Sequence, residues 1–153
     1  QIIFYNHLFT KLFNFEITNF FNYPRLEILN ISLDLISQRP IWGYGAGSFA
    51  AMYGLSGGKY DAVHTHSLPL QVAYNYGIPL AIFLCLLIAY IYFRTLNKVF
   101  LKEKKAIAID KCWIISTSIA LFYNIADITY YDGKLSILLW ILLAGMSSIS
   151  NRN

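Results

Sequence analysis

The chain has 153 residues, of which 57% are hydrophobic, 17% aromatic and only 13% charged, and its formal net charge is +4. A soluble domain is about half apolar and a quarter charged, so this balance excludes an ordinary soluble enzyme. It points instead to an all-α, polytopic membrane protein, with an external loop region over residues 1–76 and transmembrane helices within 77–153.

Taken in chain order, residues 1–23 scatter Phe4, Phe9, Phe13, Phe15, Phe20 and Phe21 without a clean period, which suits an amphipathic segment at the membrane interface. After Pro24, a stripe of Ile28, Leu29, Leu33, Leu35 and Ile36, with Glu27, Asn30 and Asp34 opposite, predicts an external amphipathic helix. It should stop before Pro40. Gly43, Gly45 and Gly47, then Gly54, Gly57 and Gly58, predict turns. The segment from His64 to Tyr76 reads as a second short helix along the membrane surface, redirected by Gly77 and Pro79 into the first span.

No Asp, Glu, Lys or Arg lies between Asp61 and Arg94, between Lys111 and Asp127, or between Lys134 and Arg152. Each of these blocks can supply a helix of about 17 to 25 residues, the length a bilayer core requires. The expected spans are about 77–93, 112–126 and 135–149. Half of the twelve basic residues fall in the 94–111 loop, which the positive-inside rule assigns to the cytoplasm. The region before Gly77 and the turn from Asp127 to Lys134 are then external. With this loop assigned, no basic stripe remains for a nucleic acid.

Cys85 and Cys112 read as small apolar packing residues rather than a disulfide or a redox motif. The chain starts at Gln1 and shows no signal-peptide pattern, which reads as a segment of a longer polytopic protein, expected to be inactive without its remaining helices.

The polar residues with chemical potential gather on the external side. Gly43 to Gly47 lacks the GxGxxG spacing, the preceding strand and the lysine of a phosphate loop, and reads as a tight turn. His64 and His66 point the same way if extended and diverge by about 200° on a helix. A zinc pair would need a third ligand, and Asp61 is the closest acid in sequence, so no metal site is expected. One functional histidine with a structural neighbour fits better: an imidazole can take a proton from a sugar hydroxyl or hydrogen-bond a phosphate oxygen. Arg25 can bind a diphosphate in bidentate fashion. Asp127 and Asp132, on the turn between the last two spans, are expected to approach Arg25 or Lys134. Asn124, inside the second span, should face protein rather than lipid.

The order of these pieces resembles the C-terminal part of the O-antigen ligase and O-antigen polymerase family, as in its cyanobacterial-like members. The matching pieces are Arg25 before an apolar helix, the turn from Pro40 to Phe49, His66-Ser67-Leu68-Pro69-Leu70-Gln71 before Gly77, and Asp127 to Gly133 before the last span. The resemblance implies a multi-pass protein of the bacterial inner membrane with its site on the periplasmic side. It implies a metal-independent glycosyltransferase without a cofactor, moving a glycan from undecaprenyl diphosphate to an acceptor such as lipid A core or a growing glycan, in lipopolysaccharide biosynthesis. Arg25 resembles the family's diphosphate-handling arginine and His66 the histidine of its HN-x-x-L pattern, with Ser67 where Asn is common; His64, Asp127 and Asp132 are the further substrate-binding candidates. The alternatives are a polymerase, or a transporter akin to those for bicarbonate uptake, which would need polar residues lining a path through the spans.

Overall fold

The computed structural model describes residues 24–102, 108–127 and 133–152. The aromatic segment 1–23 and Asp132 lie outside the described residues. All regular structure among the described residues is helical: α1 (Pro24–Gln38), α2 (Phe49–Leu55), α3 (Leu68–Tyr76), α4 (Ile78–Asn97) with a π-helical continuation (Lys98–Lys102), α5 (Ala108–Ala126) and α6 (Gly133–Asn151).

The first three helices form a small cap. Helix α1 buries Ile28, Ser32, Leu35 and Ile36, one stripe at helical spacing. Ser32 is tolerated there because its hydroxyl donates to the Ile28 carbonyl at 2.5 Å. At the centre of the cap sits Tyr74, fully buried. Tyr44 stacks on it at 5.2 Å, Phe49 meets it edge-on at 5.0 Å, and its hydroxyl lies 2.9 Å from Ser48 Oγ. Glu27 ties α1 to the end of α2, accepting from Tyr53 Oη at 2.8 Å and from the Lys59 N–H at 2.7 Å.

The glycine turn after Pro40 fastens this cap to the helix below. The Tyr44 and Gly45 N–H groups donate to the carbonyls of Tyr74 and Asn75 at 2.8 and 2.9 Å, satisfying acceptors that the end of α3 leaves open. The Ile78 N–H, an open donor at the start of α4, reaches the Pro40 carbonyl at 2.7 Å. Gly43 makes this approach possible. Its φ is +66°, and a Cβ there would stand 2.5 Å from the Tyr74 oxygen, so the close backbone contact itself selects glycine.

Helix α6 packs along both α4 and α5, which touch each other less. Trp113 on α5 donates from Nε1 to the Leu142 carbonyl at 2.9 Å, and the missing side chain of Gly145 leaves room for its indole. Tyr92 and Ser118 hydroxyls join α4 to α5 at 2.7 Å, and Thr95 Oγ1 donates to the Met146 carbonyl at 2.8 Å. At the end remote from the cap, Arg152 holds the buried Asp110 carboxylate through two bonds of 3.0 and 3.2 Å.

Among the described residues, two helices are long and apolar enough to cross a membrane: Ile78–Phe100, with mean hydropathy 2.0, and Gly133–Asn151, with 1.5. Only 11% and 28% of these stretches are buried, whereas the core helix of a soluble protein would be mostly covered. Phe83, Leu86, Phe93, Ile137 and Trp140 all face outward, an apolar girdle that water would not tolerate. Helix α5 does not reach the same apolarity, because Asp110, Lys111 and Asn124 lie within it. By length and composition α4 and α6 meet this test, while α5, the other expected span, packs against α6. Cys85 and Cys112 are free and exposed rather than packed as expected.

Candidate functional site

The cap loop bearing the histidines meets the bundle at one place. Contrary to the helix expected from His64, α3 begins only at Leu68, after Ser67 in an extended conformation. Both histidines therefore lie in the preceding loop, and their rings meet edge-on at 4.4 Å. His66 is the one non-glycine among the described residues with positive φ, +53°. A side chain held in the left-handed region costs about 1–3 kcal/mol and persists only where the surroundings impose it.

Those surroundings are specific. The Thr65 N–H donates to Gln71 Oε1 at 2.9 Å and Thr65 Oγ1 to the Ser67 carbonyl at 3.0 Å; Gln71 Nε2 in turn donates to Asn75 Oδ1 at 3.0 Å. Gln71, Asn75 and Thr65 are all buried. The chain of bonds continues from the Asn75 carbonyl to the Gly45 N–H, so the glycine turn and the strained histidine belong to one polar network. Fully satisfied networks of this kind hold a single conformation.

Opposite His66, at the end of α5, stands Asp127. Its Oδ1 lies 3.2 Å from His66 Nδ1, and both side chains are about one-third exposed. With the carboxylate as acceptor, the proton sits on Nδ1 and the Nε2 lone pair is left available, the tautomer a general base requires. The contact gives Asp127 a partner, His66, that the sequence reading did not name.

His64, His66 and Asp127 together place three ligand-type atoms within 4.8 Å of one another. Sequence proximity singled out Asp61 as the nearest acid, and the fold supplies Asp127 instead. Burial, and secondarily the charge of His66, lower the His64 pKa below 6.5, while Asp127 partly opposes them. A folded-state pKa below the unfolded one means that the unfolded chain takes up the proton first as the pH falls. Stability is then full above pH 6.5 and declines below it. Thermal melts at successive pH values from about 8 to 5 should show this decline, and His64→Gln should flatten it.

Arg25 lies in the first turn of α1, exposed to solvent. Asn124 is buried and donates to the Ala120 carbonyl at 2.8 Å, facing protein as expected. Between α3, α4 and α5 lies an almost wholly apolar cavity of about 240 Å³ whose walls include Leu68, Pro69, Cys85, Ile88, Asn124 and Ile125. Leu68 and Ile125 each lie two residues from the His66–Asp127 pair, so the cavity begins beside it. The residues that sequence reasoning passed over are Gln71 and Asn75 as supports; their signal was a pair of amides at i, i+4 on an otherwise apolar short helix.

The family model for O-antigen ligase matches residues 3–108. No curated protein and no solved structure matches the chain.

Proposed function

Because this chain belongs to the O-antigen ligase family, a membrane family, we propose that it carries part of a glycosyl-transfer site acting on a polyprenyl-diphosphate-linked glycan. The observation that carries this reading is the contact of His66 Nδ1 with Asp127, which with the proton on Nδ1 leaves Nε2 as the basic nitrogen. The acceptor hydroxyl gives its proton to Nε2 as its oxygen bonds to the anomeric carbon. The bond from that carbon to the diphosphate oxygen breaks, and undecaprenyl diphosphate leaves with the electron pair. Arg25 neutralises the departing diphosphate through bidentate, charge-assisted hydrogen bonds.

The surroundings support a lipid-linked donor. An isoprenoid tail needs an apolar channel, and the cavity beside the pair exposes almost no polar surface. Arg94, Lys98, Lys111 and Arg152 lie at the opposite end of the bundle, so the positive-inside rule puts that end in the cytoplasm and His66 on the periplasmic side of the inner membrane. A transport path is less favoured. Among the described residues, the buried polar side chains of the bundle are taken up internally: Thr95, Thr117 and Asn124 donate to helix carbonyls and Asp110 accepts from Arg152, which leaves them as packing elements rather than lining for a solute. The acceptor is lipid A core for a ligase, and a growing glycan for a polymerase.

Release of undecaprenyl diphosphate by the reconstituted protein tests the reading. Arg25→Ala should reduce kcat/KM for the donor about 10- to 100-fold, the worth of one charged hydrogen bond of about 1.5–3 kcal/mol. Arg25→Lys should recover only part, since the ammonium keeps the charge without the planar fork. Unchanged turnover in Arg25→Ala would remove Arg25 from the site.

A further inference from the structure

We infer that His64, His66 and Asp127 form a binding site for one divalent transition-metal ion of the zinc class. The donor set is two imidazoles and one carboxylate, a combination suited to Zn²⁺, Co²⁺ or Ni²⁺ and poorly suited to Mg²⁺ or Ca²⁺, which prefer oxygen alone. Ligand bonds of about 2.0–2.2 Å in a tetrahedron place donor atoms roughly 3.3–3.5 Å apart. The His66–Asp127 pair stands at 3.2 Å, and all three donors lie within 4.8 Å. A shift of His64 by about one ångström, within side-chain rotation, closes the set.

The arrangement is built rather than incidental. The left-handed backbone at His66, φ +53°, brings its ring edge-on to that of His64 at 4.4 Å. The backbone of this segment is pinned by Gln71 through Thr65, and the third donor comes from a separate helix. Three protein ligands leave a fourth position open to water or an oxygen of a bound molecule. Occupancy has a functional consequence that rests on the glycosyl-transfer reading. Whichever ring nitrogen of His66 binds the ion, the imidazole no longer accepts a proton, so the metal-bound protein is held inactive.

Zinc titration of the detergent-solubilised protein against a chromophoric chelator is the test, with Co²⁺ absorption as a second readout of geometry. One ion per chain is expected. His64→Ala, His66→Ala and Asp127→Asn should each weaken binding by at least about 10- to 100-fold, while Asp61→Asn should not. His64→Gln, which leaves the His66–Asp127 contact in place, serves if a harsher variant fails to fold. Absence of stoichiometric binding, or binding undiminished across all of these His64, His66 and Asp127 variants, would overturn the site. Stoichiometric binding with transfer still at full rate would uphold the metal site and reject His66 as the base.

Discussion

His66→Ala is expected to lower glycan transfer by about 10²- to 10⁴-fold, the contribution of a positioned general base, while leaving membrane yield near wild type. The imidazole is about one-third exposed and its ring meets His64 and Asp127 rather than the buried core, so its removal opens no cavity in the cap. Alanine suits φ +53° no better than histidine, but the backbone there remains held by Thr65 and Gln71. Asp127→Asn should act in the same direction at roughly 10²-fold, because an amide no longer fixes the proton on Nδ1. A double variant should lose little beyond His66→Ala alone, since Asp127 works through the imidazole and the two losses are not independent.

Gly77→Ala is the substitution with the largest expected effect on folding. Gly77 joins α3 to α4 with φ +92° and ψ 161°, a region open to glycine almost alone. A Cβ there would also run into the Ile41 carbonyl. Strain of about 1–3 kcal/mol adds to the displacement of the turn that satisfies both helix ends, and the sum is comparable with the whole stability margin of a small domain. The protein should appear in membranes at greatly reduced level and be cleaved readily in the cap. Gly54→Ala makes the contrast, as nothing lies within 4 Å of its would-be Cβ. Helix propensity predicts it neutral or stabilising by up to about 1 kcal/mol. Equal yields for the two variants would show that the junction is not held as described.

The helical class was legible because charges vanish over long blocks, and no other pattern supplies buried backbone groups with partners in a bilayer. The first amphipathic helix was legible from Ile28, Leu35 and Ile36, and the turn after Pro40 from its glycines. Which of the blocks could cross a membrane was less so: α5 carries Asp110 and Lys111 inside the helix rather than before it. Periodicity could not locate the start of α3, since His64 and His66 fit a helix or an extended loop equally until Ser67 is known to be extended. Arg25 and His66 were legible only as chemical types suited to a diphosphate and a hydroxyl. The His66–Asp127 contact was not, because its partners are 61 residues apart and only the packing of the cap onto the bundle joins them. The same distance hid the third member of the His64 cluster. Asp132, a binding candidate from sequence, lies outside the described residues.

The most direct measurement is glycan display in a host lacking its own ligase, comparing the wild-type protein with His66→Ala and Asp127→Asn at matched membrane levels on a lipopolysaccharide gel. Loss of the ladder in His66→Ala, a weakened ladder in Asp127→Asn, and accumulation of undecaprenyl-linked glycan in both is the expected result. A wild-type ladder that persists unchanged in both variants would contradict a transfer site built on this pair.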